Sequence, residues 1–367
     1  MRLSKTLYLR AASALVSKFR QKKRRNADDG QTSFLVVSTT GVGDLLAATP
    51  AIKAIRQKYP FAQISAMIRG QYVDILECNP YVDEIIPFDK RPLPTLGLLR
   101  RMMARRDDYA LILHASDSTA YLLAAVASEE VIGIAKEARD MEFLLTRPLE
   151  MPPFGHFVER RLHVTRALGI DTDDKRLVLG VSDESRRFIS HLLDSHGVTK
   201  DDLLIGIHPG AANKHKLWPA RKFGELADLL IKELNARIVV TGVSREEPLA
   251  EAIRSLGGDR VIVTTGELSL AQAAALIERC NAYVTNDTGN MHISFALGTP
   301  TVALFCPTYP EVLGPTADVE KHEVIRKPRT CDPCKTKDCT DPWCMDQISV
   351  EEVYEAVRRC LERGVRN

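Results

Sequence analysis

The segment AYVTNDTGNMHISFALGTPTVALF, residues 282–305, contains two short apolar runs that are separated by a polar turn and a short helical stretch. The runs at 282–285 and 301–305 have the length and composition of buried parallel strands. In an open α/β sheet, ligands bind where a strand ends, because free backbone N–H groups and the helix dipole favour a phosphate there. The segment therefore predicts a doubly wound sheet with an anion-binding turn at Asn286–His292.

The predicted turn carries a carboxylate, a hydroxyl and an imidazole, on Asp287, Thr288 and His292. These groups suit a ligand, but the pattern also fits a plain helix start. In that alternative, Asp287 or Thr288 caps the helix and His292 packs in its first turn. The turn alone favours the capping alternative, so the other motifs of the chain decide between the two.

Composition limits the classes of protein that are possible. The chain has 367 residues, of which 45% are hydrophobic and 27% are charged, as expected for a globular protein of two domains. The formal net charge is +2. The sequence has no stripe of aromatic residues and arginines of the kind that nucleic-acid-binding modules use, which argues against a nucleic-acid partner.

The N-terminal segment, residues 1–32, is strongly basic, and its first acidic residue is Asp28. Its apolar residues recur at helical spacing at Leu3, Leu7, Ala11, Ala14, Leu15 and Phe19. Such a helix would suit peripheral binding to an anionic membrane surface, but a frayed tail or a helix docked on its own domain fits equally well. The segment lacks the pattern expected of a signal peptide, and no other stretch is expected to be long enough to span a bilayer.

From Ser33 onward, buried strands alternate with helices, which predicts parallel sheets with helices on both faces. The alternation is lost in the proline-containing region Arg147–Glu184 and then restarts. We predict an N-terminal segment at residues 1–32 and a C-terminal helix at residues 346–367. Between them, two Rossmann-like domains, at residues 33–180 and 181–345, face a central cleft. Ligands of such folds bind at the carboxyl edges of the strands.

Two further motifs follow predicted strands. Gly43 and Asp44 follow the first strand, where glycine allows close backbone approach and the carboxylate of Asp44 either serves catalysis or caps the helix. His208–Gly210 follows the first strand of the second domain and precedes Lys216. Small residues with a nearby lysine suit a diphosphate, for which the ammonium group acts as a point charge.

A third motif contains Glu246 and Glu247, shortly after the strand that ends near Gly242. An acidic residue at this position can accept hydrogen bonds from the diol of a ribose. Each motif alone also fits the exposed start of a helix. All of them are predicted at the carboxyl edges of the sheets, which favours a common nucleotide-containing ligand.

Together the motifs resemble glycosyltransferase family 9, the ADP-heptose:lipopolysaccharide heptosyltransferases. They are GDLL at 43–46, TPAI at 49–52, HPG at 208–210, KLWP at 216–219, NDTGNMH at 286–292 and ALGTPTVALF at 296–305. The resemblance runs from about residue 33 to the C-terminus, in the same order and at compatible spacing. Asn290 is a departure, because the family often has proline there, and it makes the rigidity of the turn less certain.

The resemblance implies a GT-B fold in which the first domain binds the acceptor, the second binds the nucleotide-sugar donor, and the C-terminal helix crosses back to the first domain. Asp44 matches the general base that takes the proton of the acceptor hydroxyl. Lys216 matches the lysine that neutralises the donor diphosphate. The predicted donor-binding residues are Gly43, Lys216, Glu246, Glu247, Asp287, Thr288, Gly289 and His292.

The predicted function is therefore inverting transfer of a heptose from ADP-heptose to the inner core of lipopolysaccharide, either lipid A–Kdo or a heptosylated acceptor. The expected location is the cytoplasm or the cytoplasmic face of the inner membrane, whose anionic surface suits the basic segment. The alternatives are a related family member that uses another nucleotide sugar for a different surface glycan, and a non-catalytic nucleotide-sugar-binding protein. A dehydrogenase is disfavoured, because Leu46 replaces the third glycine of G-x-G-x-x-G.

Four cysteines near the C-terminus, Cys331, Cys334, Cys339 and Cys344, have the spacing C-x2-C-x4-C-x4-C. Such a group can bind one metal ion, but the spacing is not that of a standard zinc finger. The alternatives are a structural zinc, an iron–sulfur cluster, and uncoordinated or redox-labile thiols. Similar clusters accompany some bacterial members of the resembling family, which implies a structural role, and catalysis is expected to need no cofactor.

Overall fold

A computed structural model of the protein describes residues 31–89, 92–153, 155–331, 339 and 343–364. Predictions about residues 1–30 and about Cys334 lie outside these residues. The chain forms two compact units, which divide between Lys175 and Arg176. Each unit contains a six-stranded sheet in which all the strand pairs are parallel, so the predicted α/β class is confirmed.

The first unit has the strand order β3-β2-β1-β4-β5-β6. Its strands are β1 (Ser33–Ser38), β2 (Gln63–Arg69), β3 (Glu84–Phe88), β4 (Asp107–His114), β5 (Ser128–Ile134) and β6 (Arg147–Leu149). Its α-helices are α1 (Val42–Lys58), α2 (Asp74–Glu77), α3 (Pro92–Ala104), α4 (Ser118–Ala127), α5 (Ala135–Ala138) and α6 (Phe157–Arg166).

The chain reverses its direction of travel across this sheet between β1 and β4, which are neighbours. Ser38 at the end of β1 pairs with His114 at the end of β4, and the Thr39 N–H donates to the His114 carbonyl oxygen at 2.9 Å. In open α/β sheets the crevice for a ligand forms at such a reversal, outside the carboxyl ends of the strands. The fold thus places the residues after β1 beside His114.

The second unit repeats this arrangement, with the strand order β12-β11-β10-β7-β8-β9. Its strands are β7 (Leu204–His208), β8 (Arg237–Val240), β9 (Val261–Val263), β10 (Ala282–Asn286), β11 (Thr301–Phe305) and β12 (Glu323–Arg326). Its α-helices are α7 (Asp183–Ser195), α8 (Ala220–Leu234), α9 (Glu247–Gly257), α10 (Leu270–Arg279), α11 (Gly289–Leu297), α12 (Pro310–Leu313), α13 (Trp343–Asp346) and α14 (Val350–Gly364). The reversal lies between β7 and β10, where Thr285 pairs with His208.

The C-terminal helix α14 packs inside the second unit. Its residues Val353, Ala356 and Val357 are buried in the same core as the sheet residues Val284 and Val302. Its apolar stripe packs against α8 and the strands β10 to β12. The crossing of the C-terminal helix to the first unit stays a prediction. No helix among the described residues is long and apolar enough to cross a membrane.

Of the two strands predicted in residues 282–305, the one at 301–305 has the predicted bounds, and the one at 282–285 extends one residue further, to Asn286. Every residue of β1, β7 and β11 is buried, as expected for strands covered on both faces. The edge strands β6 and β12 and the helix α7 were not predicted from the sequence.

Candidate functional site

Asp44 lies in the first turn of α1, directly after the loop that follows β1. The N-cap of this helix is Gly41, and no side chain caps the helix. The capping alternative for Asp44 is therefore wrong. Its carboxylate instead contacts side chains from the preceding loop, from β4 and from α6.

Four residues form what we call the Asp44 cluster: Thr40, Asp44, His114 and Arg161. The Arg161 guanidinium donates to Asp44 Oδ1 at 2.8 Å, and His114 Nδ1 lies 3.1 Å from the same oxygen. The Thr40 hydroxyl donates to Asp44 Oδ2 at 2.9 Å and lies 2.7 Å from His114 Nδ1. The Asp44 side chain remains 30% exposed, so the carboxylate is both held in place and open to a ligand.

Burial by itself would raise the pKa of Asp44. The hydrogen bond and the charge of His114, the charge of Arg161 and the Thr40 hydroxyl outweigh burial, and they hold the pKa of Asp44 well below its ordinary value. The carboxylate is therefore ionised throughout the physiological pH range.

Arg161 lies on α6, and its long, charged side chain is only 2% exposed. Burial lowers its pKa, whereas the nearby carboxylates of Asp44 and Glu137 act in the opposite direction. Its Nε and one of its terminal nitrogens are buried and have no hydrogen-bond partner among the residues that the structure describes. A buried charge is costly unless it is paired, so Asp44 is the group that makes the position of Arg161 tolerable.

A cavity of about 500 Å³ adjoins the Asp44 cluster and is formed entirely by the first unit. It is lined by His114 to Ser118 at the end of β4, by residues 136–141, and by Tyr121 and Met151. Its wall carries hydroxyl groups and charged groups of both signs, notably Lys136 and Asp140. Such a wall suits a polar, hydroxylated ligand that carries charge.

The sequence predicted Asp44 but missed Thr40, His114 and Arg161. His114 could have been found, because it ends a strand at the edge where the other motifs lie. Arg161 had no such signal. It belongs to a helix that follows the sheet, and only the packing of α6 against α1 brings it to Asp44.

In the second unit, Lys216, Asp287 and Thr308 form what we call the Lys216 cluster. Lys216 Nζ donates to Asp287 Oδ2 at 2.6 Å, and the Thr308 hydroxyl donates to the same oxygen at 2.6 Å. The Asp287 side chain is 3% exposed and that of Lys216 is 17% exposed. The structure thus brings together two predicted site residues and adds Thr308, which the sequence reasoning missed.

Asn286, the last residue of β10, holds the loops around this cluster. Its side-chain oxygen accepts from the Trp218 N–H at 3.1 Å, and its amide nitrogen donates to the carbonyl oxygens of Pro209 and Gly210 at 2.9 and 3.2 Å. The Trp218 indole is buried and donates to the Ile348 carbonyl oxygen. These bonds fix the segment that carries Lys216 against the end of β10.

The two candidate ribose-binding acids have different surroundings. Glu246 is buried, and its carboxylate accepts from the Val243 N–H at 3.0 Å, whereas Glu247 is exposed at the start of α9. A Cβ on Gly210 would overlap the Glu246 carboxylate, so glycine is required there for this approach. His208 is buried nearby, and burial lowers its pKa although the charge of Glu246 opposes that shift.

The remaining predicted residues lie at helix starts. Gly43 is in the first turn of α1, and Gly289 begins α11 after the N-cap residue Thr288. Thr288 is the N-cap residue of α11, but its side chain makes no capping hydrogen bond, and the side chain of Asp287 binds Lys216 and Thr308 instead. His292 is buried, and its ring lies 6.3 Å from that of Phe295. The structure therefore places His292 in the interior beside the turn.

Of the four predicted metal ligands, Cys331, Cys339 and Cys344 are described, all as free thiols. Cys344 is buried, and its Sγ lies 3.4 Å from the Thr330 hydroxyl. Within the described ranges, no group of three or more His, Cys, Asp or Glu side chains is placed to hold a metal ion. The described residues therefore give no support to the zinc prediction.

Known proteins are similar to this chain over both units. The sequence profile of glycosyltransferase family 9 (heptosyltransferase) matches residues 96–343. Lipopolysaccharide heptosyltransferase 2 of Salmonella typhimurium (strain LT2) is 29% identical over 313 residues, which cover 80% of this chain and 87% of that protein.

Two solved structures are similar in fold. A family 9 glycosyltransferase from Veillonella parvula DSM 2008 has a TM-score of 0.80 and 25% identity, and it covers 92% of this chain and 100% of its own. ADP-heptose lps heptosyltransferase II of E. coli has a TM-score of 0.72 and 25% identity, over 90% of this chain and 99% of its own. The predicted GT-B fold of the heptosyltransferase type is thereby confirmed.

Proposed function

Because the chain belongs to glycosyltransferase family 9 and is a glycosyltransferase, we propose that it transfers a heptose from ADP-heptose to the inner core of lipopolysaccharide. The acceptor is lipid A–Kdo or a heptosylated form of it. Two of the similar proteins are named heptosyltransferases, and both names include lipopolysaccharide. The name of the E. coli relative also includes ADP-heptose.

The observation that carries the proposal is the ionised, partly exposed carboxylate of Asp44 beside a polar cavity. In the proposed reaction, the acceptor hydroxyl oxygen forms a bond to the anomeric carbon of the heptose, while the bond from that carbon to the ADP oxygen breaks. Attack from the opposite face inverts the configuration. The hydroxyl proton leaves to a general base, which the Asp44 cluster supplies.

The Lys216 cluster is proposed to bind the donor. The leaving ADP gains negative charge as the bond breaks, and the Lys216 ammonium group stabilises that charge. The N–H groups at the start of α11, around Thr288 and Gly289, are oriented to bind phosphate oxygens. Glu246 is the better of the two candidate ribose-binding acids, because it lies beside Gly210, whereas Glu247 is on the surface.

The transfer is proposed to need no cofactor, since the Asp44 cluster supplies the base and Lys216 supplies the counter-charge. The acceptor is an amphiphile in a membrane leaflet, so the reaction is proposed to take place at the cytoplasmic face of the inner membrane. The basic N-terminal segment, residues 1–32, would contribute attraction to the anionic lipid surface.

A transfer assay with a matched pair of variants tests the proposal. Wild-type protein is given ADP-heptose or another nucleotide sugar, with lipid A–Kdo as acceptor, and the glycosylated product is measured. Asp44→Ala is expected to abolish transfer and to leave donor affinity nearly unchanged, as measured by thermal shift. Asp173→Ala, which removes an exposed carboxylate of the same unit, is the control and should retain full activity.

Each alternative function has a distinct outcome. A non-catalytic binding protein would be stabilised by the donor and would transfer nothing. A family member with another substrate would prefer a different nucleotide sugar in both measurements. Full activity of Asp44→Ala would disprove the role of the Asp44 cluster.

A further inference from the structure

A tyrosine and two arginines of the second unit form what we call the Tyr309 cluster: Tyr309, Arg326 and Arg329. The guanidinium carbons of Arg326 and Arg329 lie 4.7 and 4.9 Å from the centre of the Tyr309 ring. Both distances are in the range of a cation–π contact. Tyr309 is 39% exposed and both arginines are exposed, so the cluster holds two positive charges together at the surface.

The positive charges of the cluster are incompletely balanced. Arg326 Nη1 lies 3.3 Å from Glu311 Oε1, but the Glu311 side chain is 63% exposed, so solvent screens this pair. Arg329 forms no ion pair with a carboxylate within the part of the chain that the structure describes. Because like charges held side by side repel each other, an anion that binds between the two arginines would be attracted by both.

The main chain fixes the orientation of Arg329. Its Nε and Nη2 donate to the Pro307 carbonyl oxygen at 3.2 and 3.0 Å, in the loop between β11 and α12. A guanidinium has five N–H donors, and this carbonyl oxygen uses two of them. The others are available to the oxygens of a carboxylate or a phosphate, whose geometry the planar guanidinium matches.

The strand order gives the position of the cluster on the carboxyl edge of the second sheet. Along β8-β7-β10, Glu246 follows the first strand, Lys216 the second and Asp287 the third. The Tyr309 cluster comes next along this edge, because Tyr309 follows β11 and Arg326 ends β12. The cluster therefore lies on the side of the Lys216 cluster that is opposite to Glu246.

The Tyr309 cluster adjoins the Lys216 cluster through the loop after β11. Thr308, whose hydroxyl donates to Asp287 Oδ2, immediately precedes Tyr309. In the proposed donor complex the ribose is at Glu246 and the diphosphate at Lys216, so the heptose extends toward Thr308. The acceptor hydroxyl attacks the anomeric carbon of this heptose, so part of the acceptor has to lie beside it. The heptose itself is uncharged, whereas the acceptor lipid A–Kdo carries carboxylates and phosphates.

We propose that the Tyr309 cluster is a binding site for an oxyanion of the acceptor, a carboxylate or a phosphate, next to the heptose that is transferred. This inference rests on the proposed heptosyl transfer. Arg329 contributes the unpaired positive charge, the Tyr309 ring holds both guanidinium groups in place, and Arg326 exchanges the exposed Glu311 for the ligand. The site contributes to binding of the acceptor and takes no part in bond making or breaking.

Steady-state kinetics of Arg329→Gln test the site. Deacylated lipid A–Kdo is the acceptor, so that no membrane takes part, and the acceptor and ADP-heptose are varied in turn. The variant loses the charge-assisted hydrogen bonds to the oxyanion, so its KM for the acceptor should rise about tenfold, while kcat and the KM for ADP-heptose should change little. Arg254→Gln is the matched control, because it removes an arginine that is 55% exposed on α9, and it should leave all three constants unchanged.

Two variants of Tyr309 test the role of its ring. Tyr309→Phe keeps the aromatic face, so its KM for the acceptor should equal that of the wild type. Tyr309→Leu has no aromatic face to hold the arginines, so its KM for the acceptor should rise about two- to fivefold. Equal KM values for the acceptor in Tyr309→Leu and the wild type would show that the ring does not organise the site.

Modified acceptors identify the bound oxyanion. Phosphatase treatment removes phosphates from the acceptor, and methyl esterification neutralises its carboxylates. The difference in KM between the wild type and Arg329→Gln should vanish with the modified acceptor that lacks the bound group. The inference is wrong if the difference persists with both modified acceptors. It is also wrong if the difference appears only with acylated acceptor in vesicles of anionic lipid, because the arginines would then bind the membrane surface.

A failure of this inference differs from a failure of the proposed function. If wild-type protein transfers no heptose to the deacylated or to the acylated acceptor, the proposed function is wrong. If wild-type protein is active and Arg329→Gln has the wild-type KM for the acceptor, the proposed function stands and the Tyr309 cluster does not bind the acceptor.

Discussion

The Asp44 cluster and the Lys216 cluster occupy equivalent places, each at the reversal of its own sheet. They differ in how their charges are balanced and exposed. Asp44 is a single carboxylate with a guanidinium and an imidazole against it, and it stays 30% exposed. In the Lys216 cluster, one ammonium group and one carboxylate compensate each other, and the carboxylate is almost fully buried. The first cluster is prepared to act as an anion, whereas the second is already paired.

This difference has a consequence for ligand binding. A diphosphate that approaches Lys216 meets a cation whose charge Asp287 already balances, so part of the attraction is lost. Binding must either shift Lys216 or engage Asp287 through donors of its own, such as sugar hydroxyls. Asp44 requires no such exchange, because its carboxylate is ionised and held before any ligand arrives.

The largest effect is expected for Lys216→Met. This change removes the counter-charge for the leaving diphosphate, and kcat/KM for transfer should fall by at least about 10²-fold. It also leaves the Asp287 carboxylate buried without a cation, which should lower the free energy of unfolding by about 3–5 kcal/mol. Steady-state kinetics and chemical denaturation measure the two effects.

The double variant Lys216→Met/Asp287→Asn provides the control for folding. It removes both charges, so it should recover most of the lost stability and should remain inactive. If the double variant regained the transfer rate together with stability, the catalytic role of Lys216 would be disproved.

Asp287→Asn alone is expected to have a smaller effect, which is a gain in affinity for ADP. The ammonium group of Lys216 is then no longer neutralised, so affinity for ADP should rise by about three- to tenfold, or about 1 kcal/mol. Calorimetric titration with ADP measures the affinity, and an unchanged or weaker affinity would show that Asp287 does not compete for Lys216.

The sequence allowed most of the two sheets to be predicted, for a physical reason. Central parallel strands such as β1 and β11 are buried on both faces and appear as continuous apolar runs. The edge strand β12 alternates between half-buried and exposed residues, so its pattern resembled a loop. The helix α7 was missed although its sequence has helical signals: Ser182 caps its start, and Phe188, Ile189, Leu192 and Leu193 recur at helical spacing.

The sequence predicted only those residues of the candidate site that lie shortly after a strand in the chain. Asp44, Lys216 and Asp287 lie in the segments that follow strands, and the rule for carboxyl edges finds them. Arg161 is 117 residues away from Asp44 along the chain, and its role depends on helix packing. Asn290, the departure from the family pattern, lies with its amide nitrogen 3.1 Å from His208 Nδ1, a contact that proline could not make.

The smallest expected effect is on the pH dependence of the free energy of unfolding. It concerns the Asp44 cluster in the first unit. The pKa of Asp44 is lower in the folded protein than in the unfolded chain. The unfolded chain therefore binds the proton first as the pH falls, and the contribution of Asp44 to stability is present above about pH 4 and is lost as the pH falls further. Asp44→Asn cannot titrate, so its free energy of unfolding should fall less steeply than that of the wild type in this acid range.

Chemical denaturation between pH 3 and pH 7, followed by a probe in each unit, measures this difference. The only two tryptophans, Trp218 and Trp343, lie in the second unit, so their fluorescence reports on that unit. A tryptophan introduced on the first unit at Phe61, which is exposed, gives the other signal. The slopes should differ between wild type and Asp44→Asn only in the first-unit signal, and parallel slopes there would mean that the cations do not hold Asp44 ionised.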